Sequence, residues 1–369
     1  MTLKSSIKPL FAIAGVVAAL LVGEVTIRAY NLWRGTFELK AWQEHFKEHG
    51  LYMKAADPEL RYQHRSNHQS HQVPEHVHTN AQGILRPHDV SRVKDEDTLR
   101  VALVGDSLSA ALHLRHEQRF AALLEVSLTN EPLLEHTGVE VLNFGVAGYS
   151  SSQEACLVET QVMGFEPDVI LLQYCLNDPG VSMTPNRWFF DAPPPKLHLV
   201  EFIARRFGVY THPMTMPFVP AQGPRRRGDD YWTPLYAPTS SSWRSVVQAF
   251  ERIAAAAATH DIPVLLVVFP LLLDDSYPPG VTAPFHAQVS DLGAAQGWAV
   301  VDLLEAFAEH PVEHIRKLQA NGQPDVYHPN AAGNVIAARQ IHQAVLGMLT
   351  GGPTPAEASY RPTRPRERR

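Results

Sequence analysis

The sequence has 369 residues, which is long for one domain and short for three, and therefore predicts one large domain with additions. Its 45% hydrophobic and 19% charged residues are typical of a globular protein and exclude a disordered or collagen-like chain. The 32 basic and 38 acidic side chains give a net charge of −6, which implies no nucleic-acid partner. Two cysteines, Cys156 and Cys175, are too few for a disulfide framework or a cysteine-based zinc site, although one bridge can form.

The first 34 residues have the pattern of a membrane anchor. Lys4 and Lys8 precede an apolar run at residues 10–22, and Glu24 follows near its far end. The run is shorter than the ~20 residues that a bilayer span needs, but about 18 residues can be used if Glu24 reaches the interface. An uncleaved anchor is favoured over a cleaved signal peptide, because no good pair of small residues follows the run. The positive-inside tendency keeps the two lysines in the cytoplasm. The rest of the chain is then expected in the periplasm or at the cell surface.

From about Thr98 the sequence alternates apolar runs typical of strands with amphipathic stretches typical of helices. We predict strands over residues 99–104, 139–143, 168–173, 263–269 and 298–301. We predict helices between and after them over residues 117–128, 153–163, 242–259, 284–296 and 331–349. Five such units predict one doubly wound domain over residues 98–350, with a parallel sheet covered by helices.

The segment before this domain, residues 35–97, is predicted to be a connector from the membrane and an edge segment of the domain. It contains Trp42 and six histidines whose spacing fits neither a helix face nor a known metal motif. Exposed connector residues explain these histidines better than a metal site does. They are His64, His68, His71, His76, His78 and His88.

Two more segments depart from the alternation. Residues 179–241 form a proline-rich insertion, in which residues 199–207 have apolar positions at helical spacing. The insertion is expected to be a lid at the open end of the sheet, or a short helix packed against the core. The final segment, residues 351–369, is rich in arginine and proline and is predicted to be a disordered basic tail.

A serine stands where the first predicted strand ends, in the Gly-Asp-Ser-Leu tetrapeptide that contains Ser107. Open parallel sheets bind their ligands at this end of the strands, although a serine there is often only the N-cap of a helix. Near the end of the chain, Asp325 precedes His328 by three residues, so one turn can bring the carboxylate to the imidazole Nδ1. Together these residues supply a nucleophile, a base and a carboxylate that orients the base, which acyl transfer requires.

Two further positions follow the second and third predicted strands. A glycine such as Gly148 exposes its backbone N–H to a ligand, and the side-chain amide of Asn177 offers two uncharged donors. Either residue alone is better explained by a turn. Four such positions, at the ends of successive units and in this order, indicate a nucleophile beside an oxyanion-binding site.

These positions resemble the blocks of the SGNH (GDSL-type) hydrolase family, over residues of about 99–349. The resemblance implies that Ser107 is the nucleophile, His328 the base and Asp325 its partner. It also implies that the Ser107 N–H, the Gly148 N–H and the Asn177 amide bind the oxyanion. The Thr-Asn-Ala-Gln-Gly segment at residues 79–83 is similar to the approach segment of membrane-tethered members.

One position departs from the family pattern, because Cys175 stands where the third block usually has glycine. A side chain there is expected to narrow the pocket, which bears on substrate size rather than on catalysis. A Gly-x-Ser-x-Gly elbow is absent, which disfavours the α/β-hydrolase fold. The predicted fold is α/β, a flavodoxin-like three-layer sandwich with a central five-stranded parallel sheet and helices on both faces.

The sequence therefore predicts a membrane-anchored serine esterase outside the cytoplasm that hydrolyses or transfers an O-acyl ester, with no metal and no cofactor. The favoured substrates are small acyl groups on cell-surface glycans. The other predicted partner is the membrane, through the amino-terminal helix. The apolar positions of residues 199–207 favour an alternative, a lipase or lysophospholipase acting at the membrane. The remaining alternative is a non-catalytic glycan-binding or scaffold module with the same fold.

Overall fold

The computed structural model describes residues 4–33, 50–69, 77–134, 138–179, 197–206, 232–274, 280–319 and 322–351. These residues form two compact units. The smaller unit contains the described residues up to 54 and those at 197–206, and the larger one contains the others. Trp42, most of the insertion at 179–241 and the tail after residue 351 lie outside the described residues.

The strands are numbered along the chain. They are β1 (Tyr52–Lys54), β2 (Tyr62–His64), β3 (Thr98–Val104), β4 (Gly138–Asn143), β5 (Val169–Cys175), β6 (Val264–Phe269), β7 (Ala299–Asp302), β8 (Arg316–Leu318) and β9 (Pro324–Pro329). The α-helices are α1 (Lys4–Trp33), α2 (Ser107–Ala110), α3 (Phe120–Thr129), α4 (Ser151–Thr160), α5 (His198–Arg206), α6 (Thr233–Tyr236), α7 (Ser241–Ala258), α8 (Ala283–Ala295), α9 (Leu304–Ala308), α10 (Val312–Ile315) and α11 (Ala331–Thr350).

Five parallel strands form the central sheet of the larger unit, in the order β4-β3-β5-β6-β7. Counted within the sheet this order is 2-1-3-4-5, which is the flavodoxin-like arrangement. Right-handed crossovers place α3 and α11, which pack together, on one face and the packed pair α4 and α7 on the other. The predicted fold class is therefore confirmed.

The central strands form here because their apolar residues are covered by helices on both faces. Every residue of β5 and β6 is buried, and in β3 all but the first. Val101 lies opposite Val141 on one side and Val169 on the other. Two polar residues interrupt this pattern, Arg100 in β3 and Gln173 in β5, and both are buried.

The element boundaries differ from the predicted ones for local reasons. The helix expected at 117–128 is a 3-10 turn at His116–Gln118 followed by α3, because Arg119 between them is extended (φ −76°, ψ 142°). Its buried guanidinium donates to the carbonyl of Leu114 at 3.2 Å. The third strand begins at Val169 rather than Asp168, whose carboxylate instead accepts the backbone N–H of Arg100 at 2.7 Å.

The segment before β3 belongs to the larger unit from residue 55 onward and is held there by polar contacts. Asn80 is buried, and its side-chain oxygen accepts the N–H groups of Gln82 and Ile84, both at 3.0 Å. Leu85 donates to the carbonyl of Asn143, at the end of β4, at 3.1 Å. His64 lies in β2 and is 5% exposed, so the expectation that these histidines are all exposed is wrong for it. His71 and His76 lie outside the described residues.

The smaller unit contains α1 and α5. Residues Phe11–Tyr30 of α1 have a mean hydropathy of 1.9 and are long and apolar enough to cross a membrane. The carboxylate of Glu24 accepts the N–H groups of His198 (2.9 Å) and Leu199 (2.7 Å), which begin α5, and also pairs with Arg28 at 2.6 Å. Glu24 therefore caps a second helix instead of facing an apolar surface unpaired.

Candidate active site

Ser107 is the first residue of α2, directly after β3, and is partly exposed. The preceding residue, Asp106, caps this helix by accepting the Leu108 N–H at 2.9 Å. The turn is held from β5, where the Oε1 of Gln173 accepts the N–H groups of Asp106 and Ser109, both at 3.1 Å. A Cβ at Gly105 would collide with Gln173, so this tight arrangement requires glycine there.

His328 reaches Ser107 from β9. Its Nε2 lies 2.8 Å from the Ser107 Oγ, and its Nδ1 lies 2.9 Å from both carboxylate oxygens of Asp325. These contacts join residues that are 221 positions apart in the chain. The structure thus brings the three residues together in the order that the sequence predicted.

Asp325 is 5% exposed and remains an anion, because it has several donors. Burial raises its pKa, but the hydrogen bond and charge of His328 and the N–H groups of Tyr327 and His328 outweigh burial, and the pKa lies below its ordinary value. Both N–H groups donate to Oδ1 at 3.1 Å, and the Lys317 ammonium lies 3.5 Å from Oδ2. A carboxylate fixed in this way orients the imidazole.

The loop that carries Gly148 packs closely on the serine turn. Asn143, at the end of β4, donates to the carbonyl of Ser109 at 2.7 Å, and a Cβ at Gly145 would lie 2.8 Å from the Ala110 nitrogen. Gly148 itself has φ 83°, which only glycine adopts easily. Tyr62 of β2 supports this loop by donating to the carbonyl of Ala147 at 2.8 Å.

Asn177 follows β5 and is held by the residue next to the serine. Its Nδ2 donates to the Oδ2 of Asp106 at 3.3 Å, which leaves the second N–H of that amide for another acceptor. Among the described residues, its Oδ1 has no partner. Asn177 was predictable from the sequence, but the role of Asp106 in orienting its amide was not.

His113 is a further neighbour that the sequence did not indicate. Its ring meets the edge of the His328 ring with centroids 5.7 Å apart, and its Nε2 donates to the carbonyl of Pro329 at 2.9 Å. Burial lowers the pKa of His113 to about 4, so it is neutral at physiological pH. It therefore supports the strand that carries His328 without adding a charge.

Cys156 and Cys175 are free and buried. Cys175 is 1% exposed, and burial raises the pKa of its thiol well above the ordinary value. That Cys175 narrows the substrate pocket stays a prediction.

Three buried carboxyl groups lie behind the site: Asp106, Glu154 and Asp178. Burial raises the pKa of Asp106, and the N–H of Leu108 and the charge of His328 only partly oppose this. Burial also raises the pKa values of Glu154 and Asp178 well above their ordinary ranges, and the neighbouring acids raise them further. The Oε1 of Glu154 has no hydrogen-bond partner among the described residues.

Replacing Glu154 with glutamine is expected to stabilise the protein increasingly as the pH rises. A carboxyl whose pKa is raised by folding costs stability once the pH exceeds its ordinary value of 4.5, because the folded state resists ionisation. The amide removes this cost at nearly the same volume. The melting temperature of the Glu154→Gln variant, minus that of the unmodified protein, should therefore grow between about pH 5 and about pH 8. A difference that is constant with pH would contradict the buried, protonated state.

The sequence matches the model of the GDSL-like lipase/acylhydrolase family over residues 103–336. The chain belongs to this family. Members are esterases and acylhydrolases, and the matched residues include the serine turn and the Asp325 and His328 pair. A search of curated proteins found no match.

Several solved hydrolase structures are similar to this chain at low sequence identity. An α/β hydrolase from the metagenome of Lake Arreo, Spain, is 15% identical, with a TM-score of 0.42 over 68% of this chain and 96% of that one. The acetyl xylan esterase AlAXEase is 16% identical, with a TM-score of 0.40 over 67% and 100% of the two chains. An acetylxylan esterase from Geobacillus stearothermophilus is 12% identical, with a TM-score of 0.42 over 71% and 98%.

Proposed function

We propose that this family member is a serine esterase that cleaves O-acyl esters through an acyl-enzyme. The observation that carries the proposal is the continuous contact from the Ser107 Oγ through His328 to Asp325, at 2.8 and 2.9 Å. A hydroxyl, an imidazole and a buried carboxylate in this geometry are the elements of nucleophilic acyl transfer. A non-catalytic scaffold has no need of this alignment.

In the first step, the Ser107 Oγ attacks the ester carbonyl carbon while the Nε2 of His328 takes its proton. Asp325 stabilises the imidazolium through Nδ1. The N–H groups of Ser107 and Gly148 and the free N–H of Asn177 donate to the developing oxyanion. His328 then gives its proton to the leaving alcohol, and the acyl group remains on Ser107.

In the second step, His328 removes a proton from an acceptor that attacks the acyl carbon, and returns it to the Ser107 Oγ as the bond between that oxygen and the acyl group breaks. Water as the acceptor completes hydrolysis, and a sugar hydroxyl completes an acyl transfer. Hydrolysis is the proposed activity, because the family is one of acylhydrolases. Release of free acetate from an acetylated oligosaccharide, with no new acetyl ester in the products, would distinguish hydrolysis from transfer.

Replacing Asn177 with alanine is expected to lower kcat about 10²- to 10³-fold, because one oxyanion donor is lost. The KM should change much less, since the donor acts mainly on the tetrahedral intermediate. Asn130→Ala is a matched control, because the Asn130 amide donates only to the helix carbonyl of Val126 and is exposed. Equal kcat values for both variants on p-nitrophenyl acetate would remove Asn177 from the oxyanion site.

We further propose that the protein is tethered to a membrane with its catalytic domain on the outer side, acting on small acyl groups of cell-surface glycans. The exposed apolar helix Phe11–Tyr30 supports tethering. Lys4 and Lys8 at its start support export of the larger unit by the positive-inside tendency. Protease accessibility of a carboxyl-terminal tag in intact cells tests this orientation.

A lipase acting at the membrane is the second candidate, and two observations favour it. The first is the apolar surface of α5, where Val200, Phe202 and Ile203 are exposed. The second is a cavity of about 890 Å³ whose mixed wall has an apolar part with Leu272 and Phe307 and a charged part with Asp274 and Arg316. Leu272 donates to the carbonyl of Val326, between the two residues of the catalytic pair, at 2.7 Å.

A chain-length series separates the two candidates. The full-length protein in lipid nanodiscs is assayed on p-nitrophenyl esters from acetyl to decanoyl, with Ser107→Ala alongside. Highest kcat/KM on acetyl supports glycan deacylation, and highest kcat/KM on decanoyl supports lipid hydrolysis. Absence of turnover that depends on Ser107 would leave the non-catalytic module.

A further inference from the structure

A second cavity, of about 380 Å³, lies in the larger unit, and serine is the most frequent residue in its wall. Its walls include six serines, at positions Ser150, Ser151, Ser152, Ser241, Ser242 and Ser245. We infer that this serine-lined cavity is a subsite for a sugar unit of an O-acylated glycan. The inference rests on the proposed esterase function and names the alcohol part of its substrate.

The serine-lined cavity adjoins the proposed oxyanion site along the chain. Ser150 comes two residues after Gly148 and caps α4, and Asp178 directly follows Asn177. The two segments follow the carboxyl ends of β4 and β5. These strands flank β3, and the catalytic serine follows the carboxyl end of β3. The segments that carry the proposed oxyanion donors therefore also form part of the wall of the serine-lined cavity.

Two helices begin in the wall of this cavity, α4 and α7, with ten and eighteen residues. The first N–H groups of a helix have no partner within it, so they are available to a ligand. The N-cap Ser240 satisfies one of these groups by accepting the Trp243 N–H at 3.0 Å. The serine hydroxyls add groups that donate and accept, which suits a ligand covered with hydroxyls.

Asp178 is an independent sign of a ligand. It is 3% exposed and lines the cavity, and its Oδ2 accepts a hydrogen bond from Ser151 at 3.4 Å. Its Oδ1 has no hydrogen-bond partner among the described residues. A buried polar atom without a partner is costly, and a ligand hydroxyl would satisfy it. Burial and the neighbouring acids Glu154 and Asp106 raise the pKa of the Asp178 carboxyl.

The rest of the wall argues for a sugar rather than an acyl chain. Its aliphatic part is confined to Val246, Pro58 and Pro179. At the rim, Glu59 is fixed by Arg252, which bonds it at 2.6 Å and also pairs with Glu159 at 2.6 Å. A fatty acyl chain would find few apolar partners in this wall, whereas the hydroxyls of a pyranose ring can hydrogen-bond to its serines.

The test uses the full-length Ser107→Ala protein in nanodiscs and saturation-transfer NMR. The probes are xylotetraose, the tetramer of N-acetylglucosamine, and hexanoate. Saturation transfer to at least one sugar is expected, with a roughly tenfold weaker signal in Ser107→Ala proteins that also carry Ser242→Trp or Ser152→Trp, because the indole fills the cavity. Ser127→Trp is the matched control, since Ser127 is exposed on α3 and bonds only the Leu123 carbonyl.

The two serine variants lie on different helices, so a folding defect in one leaves the other informative, and melting temperatures identify such a defect. The inference is overturned if no sugar gives a saturation-transfer signal or if the sugar signal survives both variants. It is also overturned if the two variants lower only the hexanoate signal. The proposed esterase function is judged separately, by the hydrolysis of p-nitrophenyl acetate and its loss in Ser107→Ala. Loss of sugar binding therefore does not imply loss of the esterase.

Discussion

Replacing Ser107 with alanine is expected to reduce kcat on p-nitrophenyl acetate roughly 10⁴- to 10⁶-fold. The variant lacks the Oγ that lies 2.8 Å from His328, so no acyl-enzyme can form. The oxyanion donors and the Asp325–His328 pair stay in place. They sustain only a residual rate, which is far below that of the unmodified protein. The melting temperature should change little, because Ser107 is partly exposed and its Oγ makes no other contact in the described structure.

Ser127→Ala is the matched control, because that hydroxyl only bonds its own helix. It should retain full activity. A Ser107→Ala protein that keeps more than about a tenth of the activity would mean that another nucleophile, or a directly activated water, carries the reaction.

Replacing Asp325 with asparagine is expected to cost about 10⁴-fold in kcat, the second-largest effect. The carboxylate accepts from the Nδ1 of His328, whereas an amide can present its NH₂ group instead and stabilise the wrong tautomer of the imidazole. The Nε2 would then carry the proton and lose its function as a base toward Ser107. The same substitution removes the anion that stabilises the imidazolium.

The chain offers a matched control for this substitution. Asp302, at the end of β7, bonds the Nδ1 of the buried His286 at 2.7 Å and makes no contact with Ser107 in the described structure. Asp302→Asn changes the same kind of pair and is expected to alter the melting temperature but not kcat. Equal losses of kcat in the two variants would show that the effect at Asp325 is one of stability.

The fold could be predicted because its determinants are local. The strands of the sheet are continuous apolar runs, and each is followed by an amphipathic helix, so their order along the chain indicates the architecture. The interruption at Arg119 could not be predicted, because it results from a buried contact to the Leu114 carbonyl.

The candidate site was predictable only in part. Ser107 and Asn177 stand at strand ends, where polar residues after an apolar run are conspicuous. Gln173 is a polar residue inside the buried strand β5, and that signal could have identified its role in holding the serine turn. His113 gives no comparable signal, because it meets His328 only through the packing of α2 and β9.

The most direct test of the central proposal is labelling with a fluorophosphonate, followed by intact mass and peptide mapping. This reagent traps a serine only when a base activates its hydroxyl. The expected result is a single adduct on Ser107, formed in the unmodified protein and nearly absent in the His328→Ala variant. No adduct, an adduct on another residue, or equal labelling in the variant would contradict a catalytic role for Ser107 and His328.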